Sequence, residues 1–151
     1  MKRSAGILPF KIRNGRLMVY LGHFGGPFWA HKKRSWGVIK GEVEEGEEDL
    51  EAAKREFAEE TGKVVEGEFL DLGEFKTSNK ILHIFAIQKD LDTDIRSNMV
   101  QMEYKGRVLE FPEIDKVRWL DIQKAKELIV SSQLPILEAL EATIENGSQK
   151  S

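Results

Sequence analysis

Hydrophobic residues in the first quarter of the chain fall into short runs, as β-strands require. Residues 5–12 and 17–22 are apolar stretches on either side of Asn14-Gly15, a dipeptide that accepts the positive φ angles of a tight hairpin turn. The pattern predicts two paired strands. A loop rich in glycine and aromatic residues follows, and residues 36–41 then lead into a long acidic segment.

The acidic segment predicts the main helix of the chain. Residues 48–61 contain no helix-breaking residue, and acidic side chains crowd the first turn, where the helix dipole favours them. Gly62 stands where a C-terminal cap belongs. The sequence therefore predicts a helix that ends just before this glycine.

Beyond this helix, further apolar stretches are separated by turn residues. Residues 64–75 and 80–89 predict a second hairpin or meander, and residues 116–120 predict a short strand. Residues 122–130 and 135–145 predict two closing helices. Together these elements indicate an α/β fold with a mixed sheet and helices packed on it.

Length and composition indicate one globular domain, which we place at residues 1–146 of the 151, with a disordered tail at residues 147–151. The net charge of −3 is too small to favour nonspecific binding to nucleic acid or to a membrane. The absence of cysteine excludes disulfides and thiolate zinc sites and agrees with a cytoplasmic location. Lys11 interrupts the N-terminal apolar run too early for a signal peptide or a membrane span.

The predicted helix carries three carboxylates on one side. At about 100° per residue, Glu56, Glu59 and Glu60 fall within an arc of roughly 100°, next to an apolar stripe that contains Phe57. Like charges at i and i+4 repel, so these acids favour a nearby cation, and Mg²⁺ or Mn²⁺ takes oxygen ligands of this kind. For a generic glutamate-rich helix, a solvated surface is the commoner interpretation.

The spacing in residues 41–63 favours the metal site, because it resembles the Nudix box. This family pattern is G-x5-E-x7-R-E-U-x-E-E-x-G-U, in which U is an apolar residue. The matching positions are Gly41, Glu47, Arg55, Glu56, Phe57, Glu59, Glu60 and Gly62. Lys63 departs from the final apolar position, and Ile39 stands where many relatives have proline.

The resemblance implies a Nudix-type α/β/α sandwich in which the box forms a loop-helix-loop catalytic motif. It implies that Arg55 and Glu47 brace the loop against the helix. The ligands it implies for Mg²⁺ or Mn²⁺, or for water bound to the ion, are the carboxylates of Glu56, Glu59 and Glu60 and the carbonyl of Gly41. The reaction implied is attack by a metal-activated water on a phosphorus atom of a phosphoanhydride.

The general base is either a glutamate of the box or one from a later loop. Glu103, Glu110 and Glu113 are the later candidates. We favour Glu113, because residues 112–119 resemble the Pro-Glu that precedes an Arg-Trp strand in the RNA pyrophosphohydrolase and dinucleoside polyphosphate hydrolase branches of the family.

Cations and aromatic residues near the box are candidates for substrate binding. Lys40 directly precedes the box, and Lys32 and Arg34 lie just upstream, where they would counter polyphosphate charge. Trp29 and Tyr104 are candidates for stacking on a base. The alternatives are solvated surface cations and aromatic residues of the core.

Residues 4–42 resemble a bacterial subgroup described as predicted NTP pyrophosphohydrolases. The leading hypothesis is a Mg²⁺-dependent pyrophosphohydrolase that acts on a nucleoside triphosphate or a dinucleoside polyphosphate, rather than on ADP-ribose, NADH or coenzyme A. Two alternatives stay open: an RNA 5′-end pyrophosphohydrolase and a Nudix-fold module that senses a nucleotide without cleaving it. The sequence leaves the oligomeric state open.

Overall fold

The structure, a computed structural model, describes the backbone of residues 1–150 and the side chains of residues 1–147. The strands are β1 (Lys2–Arg13), β2 (Arg16–Phe24), β3 (Trp36–Gly37), β4 (Ile39–Glu42), β5 (Phe69–Lys76), β6 (Lys80–Gln88), β7 (Met99–Tyr104), β8 (Arg107–Pro112) and β9 (Ile114–Asp121). The helices are α1 (Asp49–Thr61), α2 (Ile122–Leu128) and α3 (Leu134–Lys150), with a short 3₁₀ turn at Ser131–Gln133. No helix in this described part is long and apolar enough to cross a membrane.

Strand β1 organises a mixed sheet of seven strands. It pairs antiparallel with β2 and β4 and parallel with β6, while β5 extends the sheet beyond β6. Strands β3 and β9 pair with β2. Strands β7 and β8 form a separate hairpin.

Alternation along the central strands gives the sheet two apolar faces, because successive side chains point to opposite sides. Ile7 packs on one face with Phe57 of α1, whereas Leu8 packs on the other face with Leu137 of α3. Helix α2 joins α3 on that second face. The expected α/β/α sandwich with a mixed sheet is therefore confirmed.

The turns predicted at Asn14-Gly15 and at Gly62 are present in the structure. Asn14 and Gly15 adopt positive φ angles of 53° and 75° between β1 and β2. Gly62 has a φ of 77° and donates its N–H to the carbonyl of Ala58 at 2.7 Å, which ends α1 as predicted. The predicted pair of strands at residues 64–75 and 80–89 corresponds to β5 and β6.

One region differs from the expectation. The sequence did not indicate the β7–β8 hairpin, whose turn at Lys105-Gly106 also has positive φ angles. The backbone of α3 is helical through Gly147 to Lys150, whereas the single domain at residues 1–146 with a disordered tail at residues 147–151 stays a prediction. Ser151 and the side chains of residues 148–150 lie outside the described residues.

Candidate active site

Arg55 braces the loop between β4 and α1 against the helix. Its Nε and Nη2 donate to the two carboxylate oxygens of Glu47 at 2.8 and 3.0 Å, and Nη2 also donates to the carbonyl of Glu42 at 3.0 Å. The hydrogen bonds from Arg55, together with one from the backbone N–H of Glu44, hold the pKa of Glu47 below its usual range. The bracing that the family resemblance implied is thus present.

The same guanidinium contacts two further acids of the helix. Nη1 of Arg55 donates to Glu56 at 2.9 Å and to Glu59 at 3.2 Å. The Glu56 carboxylate packs directly on Gly41, since a Cβ added at residue 41 would lie 1.9 Å from its Cδ. A glycine at this position therefore lets the carboxylate reach the backbone of β4.

Glu60 points away from Arg55 and is only 1% exposed. Ser97 Oγ donates to one of its carboxylate oxygens at 3.0 Å, and Asn98 Nδ2 donates to the other at 3.1 Å. Burial, followed by the adjoining Glu113 carboxylate, raises the pKa of Glu60 to about 8. Burial also raises the pKa of Glu56.

Backbone contacts place Glu113 beside these acids. Its N–H donates to the carbonyl of Asn98 at 2.9 Å, and its carbonyl accepts from the N–H of Gly25 at 3.0 Å. A Cβ at Gly25 would lie 2.0 Å from the carbonyl oxygen of Pro112, so glycine permits the close approach of the loop after β2. Glu103 and Glu110 lie on the β7–β8 hairpin, exposed and outside the cleft that Glu113 lines.

These groups line one open cleft. Of the matching positions of the box, Gly41, Glu56 and Glu59 line the cleft. Glu113 and Lys40 line it as well. Burial and the neighbouring Lys80 lower the pKa of Lys40. Sequence reasoning missed Ser97, Asn98, Lys2 and Lys80, which the structure also places at the site. The Lys2–Lys80 pairing depends on the parallel contact of β1 with β6, for which the sequence carries no local signal.

Two of the other predicted residues, Trp29 and Lys32, lie in the loop after β2. Trp29 is half-buried in the loop after β2 and packs on Phe24, with ring centroids 4.9 Å apart. Lys32 belongs to the same loop, and its Nζ lies 3.7 Å from the centroid of the Phe28 ring. Trp29 lines a cavity that shares Ser4, Lys40 and Lys80 with the cleft, whereas Lys32 lines neither space.

Arg34 and Tyr104 are absent from the lining of the cleft, and their predicted role in substrate binding stays a prediction. The guanidinium of Arg34 donates to the carbonyls of Lys126 and Ile129, both at 2.9 Å, because the end of α2 leaves these acceptors unpaired within the helix. Tyr104 lies at the tip of the β7–β8 hairpin, where Lys105 Nζ is 5.3 Å from the centroid of its ring. Neither side chain lines the site.

A second group of ligand atoms lies elsewhere on the sheet. Asp49, Glu74 and His83 bring three such atoms within 4.8 Å of one another, among the residues that the structure describes. The guanidinium of Arg3 bonds to both Asp49 and Glu74 in this cluster. An internal cation therefore already neutralises it, and we regard it as an ion-pair network.

The donor set of the cleft fits a hard divalent cation. The carboxylates of Glu56, Glu59, Glu60 and Glu113 and the carbonyl of Gly41 offer only oxygen atoms, which Mg²⁺ and Mn²⁺ prefer. Burial and mutual repulsion raise the pKa of Glu56 and Glu60. A bound cation would relieve both effects.

Comparison with known proteins decides the family of this site. The model of the NUDIX domain family matches residues 2–140. The chain belongs to the Nudix family. It is a Nudix hydrolase that acts on phosphoanhydrides, and enzymes of this family generally use a divalent metal ion.

Relatives of known structure or activity agree with this assignment. The bis(5′-nucleosyl)-tetraphosphatase (asymmetrical) of Rattus norvegicus is 32% identical over 122 residues, which cover 76% of this chain and 70% of the rat protein. An Ap4A hydrolase from C. elegans, solved as a binary complex, has a TM-score of 0.67 at 17% identity, over 97% of this chain and 99% of that chain. The NUDIX domain of Shewanella oneidensis NrtR, solved with ADP ribose, has a TM-score of 0.64 at 15% identity, over 94% and 87% of the two chains.

Proposed function

We propose that this Nudix hydrolase is Mg²⁺-dependent and cleaves a phosphoanhydride bond in a nucleoside triphosphate or a dinucleoside polyphosphate. The observation that carries the proposal is the convergence of Glu113 with Glu56, Glu59 and Lys40 around one cleft, with the buried Glu60 beside them. Metal ligands, a base and a phosphate-binding cation are the groups that this hydrolysis needs.

In this proposal, the acids of the box hold the cation. The ligands are Glu56, Glu59 and Glu60, with the carbonyl of Gly41, while Arg55 fixes the loop and the helix relative to each other. When bound, the cation neutralises charge that builds on the phosphate oxygens and makes water a better nucleophile. Arg55 does not contact the substrate in this proposal, because the loop and the helix already accept hydrogen bonds from its guanidinium.

Glu113 acts as the general base. It accepts a proton from the attacking water while the bond from the water oxygen to phosphorus forms and the bond from phosphorus to the bridging oxygen breaks. Lys40 binds the phosphate oxygens. Lys32, in the loop after β2, supplies a second positive charge for them. Trp29 stacks on a base of the substrate. The activity of the rat relative, which is named as a tetraphosphatase, supports a substrate with several linked phosphates.

A substrate panel tests the proposal. At one Mg²⁺ concentration, kcat/KM is compared for a nucleoside triphosphate, diadenosine tetraphosphate, ADP-ribose and NADH, with products resolved by chromatography. We expect the polyphosphates to be preferred and turnover to cease in excess EDTA. Full turnover in EDTA, or a clear preference for ADP-ribose, would contradict the proposal.

A lysine substitution checks the assigned phosphate contact. Lys40→Ala should lower kcat/KM for the polyphosphates by at least about tenfold, since a charge-assisted hydrogen bond is lost. Lys124→Ala is the matched control, because Lys124 is exposed on α2. Equal effects of the two substitutions would remove Lys40 from the phosphate site.

A further inference from the structure

A second cavity, of about 590 Å³, adjoins the cleft. The two spaces share Ser4, Lys40 and Lys80, so a ligand whose phosphates contact these lysines can extend into the cavity. Trp29 lines one side, and the residues between α2 and α3 line another. The volume lies in the range of small-molecule sites and suits a nucleoside.

Gln133 is the buried polar side chain of that wall, with 5% exposure. Its Oε1 accepts a hydrogen bond from the N–H of Val38 at 2.8 Å, which identifies the oxygen end of the amide. Gly37 leaves room for this contact, since an added Cβ would lie 3.0 Å from Oε1. The N–H of Gln133 also donates to the carbonyl of Val130 at 2.9 Å. Both the backbone and the amide of Gln133 are thereby fixed.

The amide nitrogen of Gln133 remains available to a ligand. Within the described residues, the hydrogen bond from Val38 to Oε1 is the one that this side chain makes, so Nε2 has no partner there. No side-chain nitrogen or oxygen that is completely buried in this part of the chain lacks a partner. Nε2 is therefore not completely buried, and the open space that Gln133 lines is the cavity. A fixed amide nitrogen presents only hydrogen-bond donors.

We propose that the cavity binds the nucleoside of the substrate and that Gln133 recognises its base, with 6-oxopurines preferred over 6-aminopurines. This inference rests on the proposed function for the placement of phosphates at Lys40 and Lys80. A 6-oxopurine presents two acceptors, O6 and N7, whereas adenine presents an amino donor beside N7. An amide with both ends free pairs with adenine, but Val38 already engages the oxygen of Gln133. Trp29 offers stacking to any base, and Gln133 adds selection.

Equilibrium binding of ITP and ATP, which differ at purine position 6, tests this inference. Titration calorimetry in excess EDTA measures both affinities without turnover. We expect the wild-type chain to bind ITP at least about fivefold more tightly, the worth of one net hydrogen bond. In Gln133→Met the ratio of the ITP affinity to the ATP affinity should approach one, because the donor is lost. Damage to the fold would instead weaken the binding of both nucleotides together.

Two further variants complete the experiment. Gln123→Met is the matched control, since Gln123 is exposed on α2, and it should retain the preference. Gln133→Glu keeps an acceptor for Val38 and removes the amide N–H donors; measured at pH 8, above the ordinary pKa of glutamate, it should also lose the preference if Gln133→Met fails to fold. Equal affinity of the wild type for ITP and ATP, or an unchanged ratio in both Gln133 variants, overturns the inference. Failure of the proposed function would show separately, as absence of hydrolysis of any nucleotide with Mg²⁺.

Discussion

Single residues of the box show how surroundings give one residue type different roles. Two hydrogen bonds from Arg55 hold the pKa of Glu47 below its usual range. Glu60 lies in the last turn of α1, where burial and Glu113 raise its pKa to about 8. When two carboxyl groups of one site have pKa values shifted in opposite directions, they commonly have different roles. Glu47 therefore remains an ionised brace, while Glu60 responds to a cation or to its neighbour.

At this scale the general base can be tested. Glu113→Gln keeps the size of the side chain and removes its proton acceptor, so we expect kcat to fall by at least about a hundredfold. Glu103→Gln and Glu110→Gln are matched controls on the exposed hairpin and should retain nearly full kcat. Rates are measured at saturating substrate with Mg²⁺. Equal and mild effects of all three would return the role to a glutamate of the box.

Elements differ in how far the sequence predicts them. The β1–β2 hairpin and α1 follow from local signals, because Asn14-Gly15 and Gly62 take the positive φ angles that their positions suggest. The β7–β8 hairpin has a glycine turn at Gly106 but no clear apolar stripe, since several of its apolar side chains are exposed, among them Val108 at 72%. The approach of Gly25 to Glu113 joins segments far apart in the chain, so no local pattern could reveal it. The box, Lys40 and Glu113 could thus be named from the sequence, whereas the neighbours that other strands and loops bring to the cleft, such as Asn98 and Lys80, could not.

The loop after β2 gives a prediction at the scale of elements. Gly25→Ala places a Cβ against the carbonyl of Pro112, which should displace the junction that holds Glu113. We expect kcat to fall at least about tenfold, because small misplacements of catalytic groups are costly, together with a stability loss of about 1–3 kcal/mol.

Gly147→Ala is the matched control for this substitution. Gly147 lies in α3 with nothing within 4 Å of an added Cβ, so the same chemical change should leave kcat unchanged. Both variants are compared by steady-state rates and by urea unfolding. If Gly25→Ala keeps wild-type kcat, the loop does not position Glu113.

Across the whole molecule, a charged network joins the box helix to the sheet. Arg3 of β1 bonds to Asp49 in the first turn of α1 and to Glu74 of β5. His83 of β6 lies between two carboxylates, with Nδ1 2.7 Å from Asp49 and Nε2 2.7 Å from Asp71. Both ring nitrogens must donate to satisfy these contacts, which requires the imidazolium form. The network therefore connects three strands and α1 through charge.

The protonation of His83 gives a pH dependence of stability. Burial by itself would lower the pKa of His83, but the hydrogen bonds with Asp49 and Asp71 outweigh it and leave the pKa above the ordinary value of 6.5. Because the folded protein holds this proton more tightly than the unfolded chain, the contribution is fully present below pH 6.5 and is lost as the pH rises through the folded pKa. We expect the free energy of unfolding of the wild type to decrease from pH 6 to pH 8.5, relative to that of His83→Gln. Urea unfolding of both chains across this range measures the difference, and His23 and His31 cancel because both chains contain them. If the two pH profiles run parallel, His83 carries no extra proton in the folded state and the network is held together by Arg3 alone.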